Sequence, residues 1–264
     1  MKKFASLLTL ILSAGIACAQ SAGGAPPPAP APANSAAAPA ASAAAPAATG
    51  IAPPVAITAN STPLELARAA LAAQGGDAFK NLKNMWLSGS VDLYAPNSAQ
   101  ALPGKFSLIT AGERMRLDVN APPAFSFKQI YDGQQSYSSI PGVQMPPANK
   151  FGLPVLARYD QAGYTVSAIP DKKKLRGFRI ADPEGNSTDF YIDATTGRVM
   201  QYLIPFNGYT FGIENSKFKE FEGVLVPTSF SQRMEMPQGA FFAEYKVKDV
   251  KLNQALGDDV FKIE

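Results

Sequence analysis

Residues 114–119 read Arg114-Met115-Arg116-Leu117-Asp118-Val119, polar and apolar in strict alternation. Successive side chains of a strand point to opposite faces, so this stretch predicts a strand with one wet face and one buried face. The same period of two recurs in Lys105-Phe106-Ser107-Leu108, in Asp189-Phe190-Tyr191-Ile192-Asp193 and in FFAEYKV at 241–247. Turn signals separate these runs: Asp132-Gly133, Pro183-Glu184-Gly185, Thr196-Gly197, Asn207-Gly208 and Gln238-Gly239. Between Met85 and Leu252 the pattern predicts about eleven or twelve strands. Most are sequential hairpins, which makes the sheet antiparallel and strongly curved.

The period changes upstream. Thr62-Pro63-Leu64-Glu65 fits a capping box with proline at the first helical position. The helix LELARAALAAQ then meets Gly75-Gly76, a stop signal. DAFKNLKN at 77–84 predicts a second short helical stretch, and Leu153-Pro154-Val155-Leu156-Ala157-Arg158-Tyr159 interrupts the strands as a short helix or lid. So few helices can cover only one side. The expected fold is mainly β with a few α-helices, a long curled antiparallel sheet whose concave face the helices cover.

The start of the chain reads as a targeting segment. Lys2 and Lys3 precede an apolar run from Phe4 to Leu12, and small residues follow from Ser13. That order describes a signal peptide, here residues 1–19. The run is too short for a bilayer, which needs about 20 apolar residues, so the mature protein is expected to be exported and not integral to a membrane. GIACAQ, residues 15–20, holds the single cysteine. A lipobox wants an aliphatic residue three places before the cysteine, where Gly15 stands, while Ala17 and Ala19 suit cleavage before Gln20. Removal of Cys18 is the favoured reading, giving a periplasmic or secreted protein. In the alternative, Cys18 is a lipidation site and the protein is an outer-membrane-anchored lipoprotein. Residues 20–58 are rich in alanine and proline and carry no charge, which predicts a disordered linker ahead of one domain over 59–264.

Composition closes off much chemistry. The chain has no histidine, which excludes His-based triads, His general bases and His-liganded zinc. One cysteine permits neither an internal disulfide nor a Cys-cluster metal site. The formal charge is +3; loss of Lys2 and Lys3 leaves 22 basic against 21 acidic residues, too balanced for a nucleic-acid binder. Lys172-Lys173-Lys174 with Arg176 is the one basic cluster, read as a solvated hairpin loop or, in the sharper alternative, a contact for an anionic partner. Ser216-Lys217-Phe218-Lys219 matches S-x-x-K, but it falls in a strand-like stretch and not at a helix N-terminus. Asp189 and Asp193, on one face of the same strand, could in principle work as a pair, whereas a glycosidase needs carboxylates facing each other across a cleft. Asp193-Ala194-Thr195-Thr196-Gly197 is better explained as a turn, as is Asp132 before Gly133. No enzyme activity, cofactor or metal is expected.

Sixteen phenylalanines, nine tyrosines and seven methionines supply the apolar side. The alternation nominates Trp86, Phe106, Met115, Leu117 and Phe125 for the inner face, with Phe127, Phe178, Ile180, Phe190 and Ile192. Met200, Tyr202, Phe211, Ile213 and Phe230 complete that set. A curved sheet with few helices cannot fill its own concavity, which leaves an apolar pocket for a long hydrophobic ligand.

Four segments in order carry a family resemblance: Tyr131-Asp132-Gly133, Tyr191-Ile192-Asp193-Ala194-Thr195-Thr196-Gly197-Arg198, Phe221-Glu222-Gly223-Val224-Leu225-Val226-Pro227, and Val247-Lys248-Asp249-Val250-Lys251-Leu252-Asn253 with Asp258-Asp259-Val260-Phe261. With these the chain, from about Thr62 to its end, resembles the outer-membrane lipoprotein-sorting proteins, the LolA/LolB-like superfamily of the periplasm. The resemblance implies an unclosed antiparallel β-barrel, a half-barrel of about eleven strands around lid helices. It also implies a cavity that holds a lipid or the acyl chains of a lipoprotein without covalent chemistry. Relatives on this fold include envelope-stress sensors, so an envelope-protein interaction module is the alternative. The long Ala/Pro linker departs from the carriers' pattern, and their lid-locking arginine has no match here.

Overall fold

A computed structural model describes residues 56–140, 144–235 and 239–263. Cys18, the expected signal peptide and nearly all of the expected linker lie outside the described residues. Helix α1 spans Pro63–Gln74 and begins as the capping box requires. Thr62 Oγ1 accepts from the Glu65 amide at 3.3 Å, and the Glu65 carboxylate accepts from the Thr62 amide at 2.7 Å. The Thr62 amide and, after it, the Thr62 hydroxyl hold the Glu65 carboxyl below its ordinary range. The helix stops at Gly75, whose φ is +124°. A Cβ there would sit 2.4 Å from Gly223 O, so glycine both ends the helix and lets it touch the hairpin beyond. Helix α2 covers only Asp77–Lys80, shorter than the eight-residue stretch expected from DAFKNLKN.

Twelve strands follow: β1 Met85–Tyr94, β2 Leu102–Ala111, β3 Arg114–Ala121, β4 Phe125–Tyr131 and β5 Ser136–Ser138, then, after helix α3 at Leu153–Leu156, β6 Thr165–Ala168 and β7 Leu175–Ala181. The last five are β8 Ser187–Asp193, β9 Val199–Phe206, β10 Tyr209–Phe221, β11 Val224–Glu235 and β12 Phe241–Leu252. They form one sheet in the order β5-β4-β3-β2-β1-β12-β11-β10-β9-β8-β7-β6, antiparallel throughout. The first and last strands therefore pair at the centre, Val91 opposite Tyr245. The two strands from mid-chain, β5 and β6, become the free edges, and the sheet does not close.

This order has a mechanical consequence. The chain leaves one edge at β5 and must re-enter at the other edge with β6, so the connection has to cross a face of the sheet. Residues 144–161, with α3 in their middle, make that crossing. The main core lies beneath them, where Leu66, Ala70, Phe106, Leu156, Phe178 and Phe190 are all buried together. Phe178 and Phe190 stack on neighbouring strands with ring centroids 5.2 Å apart. The convex face carries its own small cluster, in which Phe261 and Val260 of the C-terminal segment cover Ile109, Ile130 and Trp86.

Candidate functional site: an apolar cavity under a crossing segment

Met115 and Leu117 of β3 and Tyr202 and Ile204 of β9 line one cavity. Six strand spacings separate those strands, about 29 Å if the sheet were flat. Shared walls thus require the sheet to curl. The free space at the centre is about 150 Å³, inside a recess of about 1120 Å³ that reaches solvent. Phe79 from α2 and Phe151, Leu153 and Pro154 from the crossing segment form its roof.

Of the residues the alternation nominated, Phe106, Met115, Leu117, Tyr202, Ile213 and Phe230 line the cavity. Phe106 meets Tyr245 edge-on at 5.0 Å, and Tyr245 stacks on Phe230 at 4.7 Å. Phe127, Phe178, Ile180, Phe190 and Ile192 face the same side but are packed into solid core, with Phe125 partly buried against them. Phe211 is buried in a neighbouring cluster with Phe151, Ile204 and Ile213. Met200 is half-buried on β9. Trp86 does not face the cavity: it packs on the convex side, donates its indole N–H to Ser107 Oγ at 2.9 Å and carries Lys251 over its ring at 4.6 Å. The cavity also uses residues the pattern had not nominated, among them Leu87, Leu108, Met145 and Val224–Val226.

Polar groups in the wall are few and mostly spoken for. Gln74, 2% exposed, donates from Nε2 to the Leu225 carbonyl. Asn215 donates to the Val199 carbonyl at 2.9 Å. Tyr245 donates its hydroxyl to Gln232 at 3.2 Å, and burial pushes its phenol up to about 12. Burial likewise raises the Tyr202 phenol, so both rings stay neutral at any physiological pH.

The crossing segment is docked by polar residues that stand where the strand pattern would place apolar ones. Gln129, on the inward parity of β4 and 0% exposed, clasps Met145 twice: Nε2 donates to the Met145 carbonyl at 2.7 Å, and Oε1 accepts from its amide at 2.8 Å. Thr188, inward on β8, accepts from the Gly152 amide at 3.2 Å. Salt bridges fasten the surface: Arg158 to Glu113 at 2.8 Å, Lys150 to Glu184 at 3.2 Å and Lys80 to Asp160 at 2.6 Å. Asp160 is held below the usual carboxylate range, chiefly by the Lys80 hydrogen bond. Pairs this exposed contribute about 0–1 kcal/mol each, so the buried amide clasp outweighs them. Glu113 and Gln129 belong to the β1–β5 half, Thr188 and Glu184 to the β6–β12 half. The segment therefore ties both halves together.

The carboxylates weighed for chemistry are engaged in structure. Asp189 takes a bidentate Arg179, with Nη2 to Oδ2 at 2.8 Å. Asp193 accepts from the Thr195 and Thr196 amides and the Thr196 hydroxyl; these offset the burial of its carboxyl and hold it below its ordinary value. Asp132 does the same for the amides of Gln134 and Gln135. Ser216 lies in β10 and donates to the Ser229 carbonyl. In the basic cluster, Lys172 donates to Gln201 at 2.7 Å and lies over Tyr191, while Arg176 pairs with Asp171 at 3.0 Å and reaches the carbonyls of Thr58, Ala59 and Ser61. Among the described residues there is no group of three or more metal-ligating side chains, and no helix is long and apolar enough to cross a membrane.

Neither a protein-family model nor a curated protein sequence matches the chain. Among solved structures, a LolA superfamily protein from Nitrosomonas europaea superposes at a TM-score of 0.50 and 13% identity, over 75% of this chain and 97% of that one. The fold is LolA-like. Two others are similar at a TM-score of 0.42 and 10% identity: an outer membrane lipoprotein-sorting protein domain from Vibrio parahaemolyticus, over 75% of this chain and 95% of that one, and a DUF1329 family protein from Desulfovibrio piger, over 76% and 95%. The sheet is unclosed and has twelve strands, within the eleven or twelve that the alternation predicts.

Proposed function

We propose that this chain is a non-catalytic binding protein of the periplasm that holds an acyl chain, of a lipid or of an acylated protein, in the concavity of its half-barrel. The observation that carries the reading is the apolar cavity walled by both halves of the sheet and roofed by one docked segment. Each methylene sequestered there contributes roughly 0.8 kcal/mol. An apolar cavity of about 150 Å³ takes a ligand the size of benzene, so the closed form admits about six carbons. A longer chain enters when residues 144–161 lift. The reading extends to a cleavable signal peptide at 1–19 and to the Ala/Pro segment 20–58 as a linker; with Cys18 lipidated instead, the same protein would be a tethered receptor.

The interaction-module alternative calls for an exposed apolar patch. The large exposed hydrophobic residues among those described, Leu64, Tyr137 and Tyr209, sit on three different elements, which favours the acyl-binding reading. The test is to purify the protein gently, extract it with organic solvent and weigh the extract by mass spectrometry. One acylated species per chain supports the proposal; repeated extraction of none, with no uptake from added lipid, would sink it.

A further inference from the structure

Beside the acyl cavity lies a second recess of about 200 Å³, which shares Phe79, Met85, Thr110 and Pro154 with it. Its chemistry differs. Lys80, Lys83 and Arg158 stand in its wall, and no carboxylate does. Two of these cations each hold one carboxylate from outside the wall, Asp160 at 2.6 Å and Glu113 at 2.8 Å. Lys83 is exposed and makes no salt bridge among the described residues. Asp77 also acts on Lys80 from outside the wall, so the excess of positive charge lies on the wall itself, at Lys83 above all. Asn149 adds an independent sign. It is 1% exposed, and its Nδ2 donates to the Glu113 carbonyl at 2.9 Å, which fixes the orientation of the amide. Its Oδ1 accepts from nothing among the described residues. A buried acceptor left without a donor is costly, and such atoms call for an explanation.

We infer that this recess receives the head group of the amphiphile whose tail fills the apolar cavity, an anionic group that also bears a hydroxyl or amide N–H. The inference rests on the acyl-binding reading above. The shared wall puts the two recesses within the length of one molecule. Arg158 offers a planar fork suited to phosphate or carboxylate, Lys83 a point charge, and Asn149 Oδ1 an acceptor for the hydroxyl or N–H.

The test uses the purified full chain and two single-chain lipids with the same 16-carbon acyl group, lysophosphatidylglycerol and lysophosphatidylcholine, titrated by calorimetry at low salt. Both share the phosphate and the free sn-2 hydroxyl; the first has a net negative head with two further hydroxyls, whereas in the second a choline cation neutralises the phosphate and the head adds no hydroxyl. The expected result is about tenfold tighter binding of the glycerol lipid, a preference that shrinks as salt rises. Lys83→Glu, at an exposed position that leaves folding intact, should abolish the preference for the glycerol lipid, and Arg158→Gln should reduce it. Inorganic phosphate at millimolar concentration should compete with the glycerol lipid alone. Equal affinities for the two lipids, or a preference that survives both substitutions, overturn the inference and leave acyl binding standing. Phosphate binding that depends on Lys83 without any lipid preference also overturns it, marking a free-anion site. Binding of neither lipid removes the acyl-binding reading itself, and this inference with it.

Discussion

Replacing Gln129 by leucine tests whether the roof is held by its buried clasp. Leucine nearly matches glutamine in volume, so the packing around β4 is kept while both hydrogen bonds to Met145 are lost. A typical internal hydrogen bond contributes about 0.5–1.5 kcal/mol, and a buried group left unpaired costs about 1–3 kcal/mol. Two bonds lost, with water partly replacing them, cost about 2–4 kcal/mol of docking free energy. That cost falls on residues 144–161 and not on the twelve-stranded sheet. Hydrogen exchange separates the two. The amides of Lys150 and Val155, bonded to the carbonyls of Pro147 and Gly152, and the Gly152 amide on Thr188 should exchange about 30-fold to several hundred-fold faster. Amides in the β1–β12 ladder should change little. Exchange within about threefold of wild type in the segment would falsify the clasp.

Three further outcomes follow from the same geometry. Gly152 has φ +69°, and a Cβ there would stand 2.7 Å from the Tyr202 ring, so Gly152→Ala should destabilise by about 2–3 kcal/mol in urea melts; an unchanged midpoint would refute the close approach. Leu108→Trp should fill the cavity from its wall, raise stability by about 1 kcal/mol and abolish acyl uptake; uptake that persists would place the ligand elsewhere. The carboxyl of Asp193 is depressed in the folded state, so its stabilisation is complete above the unfolded value near 3.9 and is lost as pH falls through the folded value. Asp193→Asn should therefore flatten the fall in stability as pH drops below about 4, and an unaltered slope would show that the turn does not titrate.

The capping box, the Gly75 stop and the turns at Asp132 and Asp193 were readable because each rests on residues within a few places of one another. The strands were readable for the same reason. Which inward residues enclose space was not, because Phe106 and Phe178 obey one pattern, yet the first borders the cavity and the second is 0% exposed in solid core. Only the position of the crossing segment separates them, and that position depends on β1 pairing with β12, more than 150 residues away in sequence. An apolar residue in a strand, Trp86 reads as inward, but residues 256–263 give the convex face an apolar cover of its own and Trp86 packs there. A sharper signal existed for the roof. Gln129 and Thr188 are polar at inward positions of otherwise apolar strand faces, and both turn out to hold it.

The central claim is that the concavity binds one acyl chain, and a fluorescence titration with a 16-carbon fatty acid carrying a terminal pyrene measures it directly. Uptake should saturate at one probe per chain in the wild-type protein, quicken in Gln129→Leu and vanish in Leu108→Trp. Saturable binding that is indifferent to Leu108→Trp, or no binding by the wild-type protein, would contradict the account.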